Sequence, residues 1–354
     1  MQALIGIHLG LERTTAVMVE PDGSLLASSS KNLELRQGEG GAREQSPDAW
    51  WRSLAFCTRA LLKKTDFPEV LAVGLCDQPN TVVPVDSRGH PLGNAMVQPD
   101  RRAQATSEEL AKRLDLAEIH KRTGSGLGTQ QATIKMAWSS KNWDPFKRCR
   151  QALSAGGWIG QRLVGRPFLD RTQASVAGFL DIQTGQFAVD LLQSMGVPAG
   201  KLPSLVSTGD VLGQLTSAAS ADTGIKAGTT LVAGLSEQAA WALATGLTEA
   251  GQALFLSNED LLLVSSPHPV RDPRAELQVS LHPIDGLYLL ELGPNCGSIS
   301  ERKAQLDKQG IPITRLVTCG SDAPTELSDL PWSRQDIEQA EAMGAVHNAR
   351  SILE

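Results

Sequence analysis

The sequence predicts an α/β protein in two lobes, and three observations carry that expectation. Short apolar strands open the chain before any helical periodicity, crossover helices follow, and the strand-turn-strand order starts again late in the chain. At 354 residues there is enough chain for two domains. Ala3 to Leu9, Ala16 to Val19 and Leu25 to Ser28 are short apolar runs parted by Leu11-Glu12-Arg13-Thr14 and Pro21-Asp22-Gly23-Ser24, which predicts an antiparallel meander. Ser46-Pro47-Asp48 starts a helix, with Trp50, Trp51, Leu54, Cys57 and Leu61 at helical spacing and Lys63 and Lys64 where the dipole favours cations. Val70 to Leu75 and Thr81 to Val85 are strand-like, Arg101 to Leu114 is helix-like, and Leu153 to Val164 is a helix stopped by Gly165. Asp190 to Ser194 reads as a short helix, and Leu202 to Val206, containing Pro203, as an extended connection. Thr229 to Ala233 is a buried strand, and Glu237 to Thr245 a helix closed by Gly246. A second meander is expected from Ala253 to Leu256, Leu261 to Ser265, Leu277 to Leu281 and Leu287 to Leu292. These elements divide the chain at Thr245 into lobes 1–245 and 246–354.

Composition removes several function classes. The 33 basic and 39 acidic side chains give a net charge of −6 without long blocks, so the concentrated positive footprint of a nucleic-acid partner is missing. No apolar run approaches the roughly 20 residues of a membrane helix, and Met1 to Ile7 lacks the charged head of a signal peptide, so the expected location is the cytoplasm, away from membranes. Cys57, Cys76, Cys149, Cys296 and Cys319 form no CxxC pair and read as buried thiols. His90, His120, His268, His282 and His347 lack ligand spacing, so no metal site is expected from them. Gly124 to Gly128 is glycine-rich but follows no strand and precedes no Lys-Ser or Lys-Thr, which favours a loop over a phosphate cradle. No Gly-x-Ser-x-Gly elbow is present.

Ile5-Gly6-Ile7-His8-Leu9-Gly10, Asp22 to Ala27 and Ser46 to Trp51 resemble the opening of the FGGY carbohydrate kinases, the xylulokinase-like branch in particular. Leu202 to Gly213, Thr223 to Thr229 and Val232-Ala233-Gly234 follow the same family closely, and the resemblance runs from Ile5 to about Ser257. It implies an actin-like (ribonuclease H-like) two-lobed fold with the second lobe truncated. ATP, magnesium and a sugar would meet between the lobes, and a carboxylate would take the proton of the attacking hydroxyl. Gln78 matches the family's Gln-Met-His-Gly turn, with Asn80 replacing the histidine. Asp100 and Arg102 match the Trp-x-Asp-x-Arg segment, whose Trp is replaced by Gln98. These four are the expected sugar or polyol contacts, against a plainer reading of Asp100 as cap of the helix from Arg101. The family's catalytic Asp falls on Glu237, whose plainer reading is a first-turn helix acid.

The nucleotide side departs from the pattern. The family's Asp-Leu-Gly-Thr hairpin is His8-Leu9-Gly10-Leu11-Glu12-Arg13 here, and imidazole does not replace a hard oxygen ligand for magnesium. The Gly-Thr-Ser phosphate loop falls on Asn258-Glu259-Asp260, read either as cation-holding acids or, more plainly, as solvated turn acids. Gly10 and Gly320, the latter in Thr318-Cys319-Gly320-Ser321, are what remains of the cofactor-binding pattern. Between Arg302 and Arg315 a long family segment is missing, the helix expected next is compressed to Pro324 to Gln335, and Glu341 to Val346 resembles the closing helix. The expectation is a sugar- or polyol-binding pseudokinase. The alternative is an active ATP-dependent carbohydrate kinase with Glu237 as base, and a third reading is a scaffold. The family also implies a homodimer as a candidate assembly.

Overall fold

All but the first residue of the opening strand are buried, which no edge strand tolerates, and the chain surrounds it accordingly. The structure is a computed structural model that describes residues 1–335 and 339–353. In it β1 (Gln2–Leu9) pairs antiparallel with β2 (Arg13–Val19), and β3 (Leu25–Asn32) pairs antiparallel outside β2. The helix α1 (Pro47–Lys64) carries the chain to β4 (Glu69–Asp77), which pairs parallel with β1 on its other side. The expected meander and crossover are both present. Pro47 opens α1, where its missing N–H costs nothing, and Trp50, Trp51, Leu54, Cys57 and Leu61 are its buried stripe.

A helical layer follows, with α2 (Gln104–Arg113), α3 (Ala132–Asn142), α4 (Ala155–Val164) and α5 (Arg171–Val176). The helix expected from Arg101 begins at Gln104 with Ala103 as its cap, so Asp100 does not cap it. Asp100 instead accepts hydrogen bonds from the Arg43 and Arg102 amides, a turn that competes with helix initiation. Gly165 closes α4 at φ +76° as anticipated. Three short strands, β5 (Val211–Gln214), β6 (Thr230–Val232) and β7 (Leu235–Ser236), complete a seven-stranded sheet in the order β5-β6-β4-β1-β2-β3, with β7 also paired to β4.

After α6 (Glu237–Ala244) the design recurs. The second sheet comprises β8 (Gln252–Leu256), β9 (Leu261–Ser266), β10 (Gln278–Leu281), β11 (Tyr288–Leu292), β12 (Arg315–Cys319) and β13 (Trp332–Arg334), in the order β10-β11-β9-β8-β12-β13. As β1 does, β8 pairs antiparallel with the next strand and parallel with one reached through a helix, here α7 (Ile299–Lys308). The second meander is not sequential. The fully buried β9 takes β11 as its neighbour, and β10 lies at the edge, where the Leu281 amide donates to Ser175 Oγ of α5. The helix expected over Pro324 to Gln335 is absent from the described part of that span. Pro324 and Pro331 confine it to a single 3₁₀ turn (Thr325–Leu327) before β13, and residues 336–338 lie outside the described residues. All five cysteines are buried, as expected. No described helix is long and apolar enough to cross a membrane.

The last helix, α8 (Ala340–Arg350), lies against β1 and β4 of the first sheet and against α6. Glycines make this approach possible. A Cβ on Gly6 would strike the Ala342 carbonyl oxygen, one on Gly74 that of Ala345, and one on Gly344 the backbone of Ala240 in α6. Overpacking of this kind costs roughly 1 to 3 kcal/mol when only side chains yield, and here the obstacle is backbone. Gly74→Ala is therefore expected to lower the denaturation midpoint by at least that equivalent, whereas Gly200→Ala, with open space around its Cβ, leaves it nearly unchanged.

Candidate functional site

Strand register assembles the site. His8 of β1 lies opposite Cys76 of β4, and Leu235 of β7 lies opposite the same Cys76, so the carboxyl ends of three parallel neighbours stop at one level. Ligand clefts of open α/β sheets form at such ends. Ser236 caps α6, its Oγ accepting from the Ala239 amide, and this sets Glu237 in the first turn. His8 Nε2 lies 2.7 Å from Glu237 Oε1. His8 Nδ1 lies 3.9 Å from Glu341 Oε2, in the first turn of α8, and Trp241 Nε1 donates to Glu341 Oε1 at 3.0 Å. Burial of the imidazole works against its charge, but the hydrogen bond to Glu237 and the fields of Glu237, Glu341 and Asp77 outweigh it, and the His8 pKa lies above its usual value. Behind the pair, Asp77 is buried, and desolvation lifts its pKa to about 7 despite the Gly156 amide it accepts.

Beyond this pair a cavity of about 420 Å³ opens between Glu259, Glu341, Gly320 and Trp241. Glu259 faces the cleft as part of that cavity's wall, and desolvation and the charges of Glu237 and Glu341 raise its pKa. Asp260 does not face the cleft. The buried Arg302 guanidinium grips both of its carboxylate oxygens, at 3.0 and 2.8 Å, and also donates to its carbonyl. Gly320 lines this cavity at φ +87°, at the end of β12, and Gly10 sits in the β1–β2 turn, its amide donating to the Arg13 carbonyl. Among the described residues no three His, Cys, Asp or Glu side chains are placed to hold a metal, and each carboxylate near a phosphate opposes it by roughly 1 to 4 kcal/mol.

On the other side a larger cavity, about 720 Å³, lies between the helical layer and the second sheet. Its wall is rich in amides, including Asn80, Gln98, Gln130, Gln131, Gln278 and Asn295, and it reaches Glu291. Gln238 Nε2 donates to Glu291 Oε2 at 3.0 Å, so this cavity adjoins the Glu237 turn. The Gln131 amide oxygen is buried without a partner among the described residues. Asn80, at φ +60°, accepts the Ala132 amide through Oδ1 and so opens α3. Gln78 is buried, donating to Gln45 Oε1 at 2.8 Å and to the Gly10 carbonyl at 3.4 Å. Asp100 is fully buried and bound by Arg43 and Arg102, while Arg102 also meets Glu44 at 2.8 Å and lies over the rings of Trp138 and Trp143. Of the four sugar-side residues, the structure sets Asn80 on the cavity wall and the other three in the framework behind it.

A family model described as "FGGY family of carbohydrate kinases, N-terminal domain" matches residues 3–244. The chain belongs to the FGGY carbohydrate kinase family. It is 25% identical over 297 residues to an autoinducer-2 kinase of Yersinia enterocolitica, covering 81% of this chain and 56% of that protein. A xylulose kinase structure from Rhodospirillum rubrum is 27% identical with a TM-score of 0.77, covering 82% of this chain and 60% of that one. The chain thus spans little more than half the length of these relatives. A gluconate kinase structure from Lactobacillus acidophilus shares the fold at a TM-score of 0.90 and 16% identity, covering 99% of this chain and 89% of that one. The actin-like, two-lobed architecture is therefore that of the FGGY kinases.

Within this FGGY cleft, sequence reasoning missed Glu341, Glu291 and Lys135. Lys135 on α3 is buried and donates to the carbonyls of Asn80, Val97 and Gln98, at 2.8, 2.7 and 3.2 Å. It ties together two segments that shape the amide-rich wall. The glycine-rich segment Gly124 to Gly128 does remain a loop and contributes Gly126 and Gly128 to that wall.

A group whose folded pKa is raised stabilises the fold below its unfolded pKa and loses that contribution as pH climbs through the folded value. Relative to a His8→Gln variant, the wild type is expected to be most favoured below about pH 6.5, the ordinary histidine value, and to lose the advantage above the raised one. Denaturant midpoints of both proteins across that range check this. Lys135→Ala, which orphans three buried carbonyls and leaves a void, should cost on the order of 2 to 4 kcal/mol in the same measurement.

Proposed function

We propose that this chain is a sugar- or polyol-binding member of its family that does not transfer phosphate. The observation that carries the reading is the hydrogen-bonded pair of His8 and Glu237. A general base must be available to the hydroxyl it deprotonates, and the imidazole occupies one of the two Glu237 oxygens, Oε1, and so competes with a hydroxyl for the carboxylate. Glu341 and Glu259 extend the negative charge over the ground a triphosphate would occupy. The amide-rich cavity supports the ligand class, since neutral carboxamides offer both donors and acceptors to hydroxyls. The name of the xylulose kinase relative supports a sugar as well.

Asn80 and Gln98 are assigned to contact the ligand from the wall. Gln78, Asp100 and Arg102 are assigned to hold that wall in place rather than to touch the ligand. The alternative, an ATP-dependent kinase with Glu237 as base, draws on Glu259, the one acid of the Asn258-Glu259-Asp260 turn that faces the cleft.

Thermal unfolding against pentoses, hexoses and polyols, each with and without magnesium-ATP, separates these readings. Binding raises the midpoint by mass action, equivalent to about 2.7 kcal/mol at a hundredfold excess over Kd. The expected result is a rise with one sugar or polyol and none from magnesium-ATP. Sugar-dependent ATP turnover abolished by Glu237→Ala would establish the kinase instead, and a flat panel would favour the scaffold. In His8→Asp/Glu259→Ser, which frees Glu237 from the imidazole, supplies a hard oxygen ligand for magnesium at position 8 and takes away the Glu259 carboxylate, magnesium-ATP is expected to raise the midpoint where it does not in the wild type.

A further inference from the structure

Glu291 of β11 lines the amide-rich cavity of about 720 Å³ from the second lobe. Strand register sets it opposite Gln278 of β10, a residue of the same wall. The protein uses one of its carboxylate oxygens, Oε2, which accepts from Gln238 Nε2 at 3.0 Å. The other, Oε1, has no partner among the described residues, and it is not one of the polar atoms shut away from solvent, so it is open to the cavity.

No described cation pairs with this carboxylate. Desolvation, and then the charges of Glu259 and Glu237, raise its pKa. The two arginines of the cavity wall are otherwise placed: Arg274 Nη2 meets Glu276 Oε2 at 3.1 Å, and Arg101 is exposed to water that screens it. A carboxylate that gives up water in this setting needs hydrogen-bond donors in exchange. On the facing wall, Asn80 Nδ2 and the side-chain amide of Gln98 are also without partners among the described residues. The cavity therefore presents an acceptor at Glu291 Oε1 and amide donors at Asn80 and Gln98. A hydroxyl satisfies both kinds of group, since it donates and accepts, whereas an ionised carboxylate or phosphate only accepts.

We propose that Glu291 is a specificity-determining residue of this cavity, which accepts a hydrogen bond from a hydroxyl of a neutral polyol and turns away sugar acids. The proposal rests on the reading of this chain as a sugar or polyol binder and narrows that ligand class.

The test is thermal unfolding of the whole chain with two matched pairs, D-glucitol against sodium D-gluconate and xylitol against sodium D-xylonate. The members of a pair differ at one terminal carbon, hydroxymethyl or carboxylate, and each salt is compared with sodium chloride at matched ionic strength. The concentration dependence of the midpoint gives Kd. The expected result is a saturable rise with at least one polyol and a Kd for the corresponding acid weaker by about tenfold or more. Glu291→Gln keeps the shape of the side chain and an acceptor for Gln238, and it should bind the polyol more weakly while losing most of the discrimination. Glu291→Asp, which keeps the charge at a shorter reach, should weaken the polyol and still reject the acid, and it serves if Glu291→Gln fails to fold. A polyol Kd that is the same in the wild type and both variants, or an acid bound as tightly as its polyol by the wild type, overturns the role of Glu291 and leaves the sugar-binding reading standing. No response to any of the four compounds overturns it as well, while the wider panel of pentoses and hexoses decides the sugar-binding reading separately.

Discussion

The cleft depends on a close approach of backbones, that of α8 to β1 and β4. Gly6 and Gly74 are on the strands, and the carbonyls of Ala342 and Ala345 occupy the space their side chains would take. At that distance the helix cannot slide or turn without losing contact along its row of Ala342, Ala345 and Ala349. Its first turn is thereby set above the end of β1, bringing Glu341 to His8 across more than three hundred residues of chain. Gly344 repeats the device against α6, so the two helices that carry Glu237 and Glu341 are packed on each other as well as on the sheet.

Two helix N-termini facing one cleft would ordinarily make an anion site, since their free amides and dipoles favour negative charge. Here that preference is met from within. Glu237 and Glu341 are each a first-turn acid of their own helix, and the imidazole of His8 lies between them. The same electrostatics that would hold a phosphate instead hold two carboxylates and raise the proton affinity of a histidine. Family membership and an altered nucleotide side are thus compatible on one scaffold, because the fold fixes where charge gathers while single residues decide its sign.

Much of the architecture was legible because it is local. Alternating and continuous apolar runs marked nine of the thirteen strands of the two sheets, all but β5, β7, β12 and β13, and Gly165 and Gly246 ended helices where their left-handed backbone is favoured. Two of the errors share a cause. The order of β10 and β11 is decided by which strand can meet α5, and the start of α2 by the competing hydrogen bonds of Asp100, both of them long-range. The same division holds at the site. Glu237 and Glu259 stood out in the sequence through the family pattern, whereas Glu341, Glu291 and Lys135 had no local mark, and their surroundings come from separate elements.

Sequence alone determined the α/β class, the recurrence of the strand order in two lobes, the family, and the replacement of small or acidic residues by His8, Glu237 and Glu259. These follow from periodicity, turn chemistry and motif order, which are properties of neighbouring residues. Tertiary structure alone decided that His8 binds Glu237, that Asp260 is turned away by Arg302, and that Asp100 and Arg102 serve each other behind an amide-lined wall. Partner choice among charged groups depends on distances of a few ångströms between distant segments, and only packing sets those.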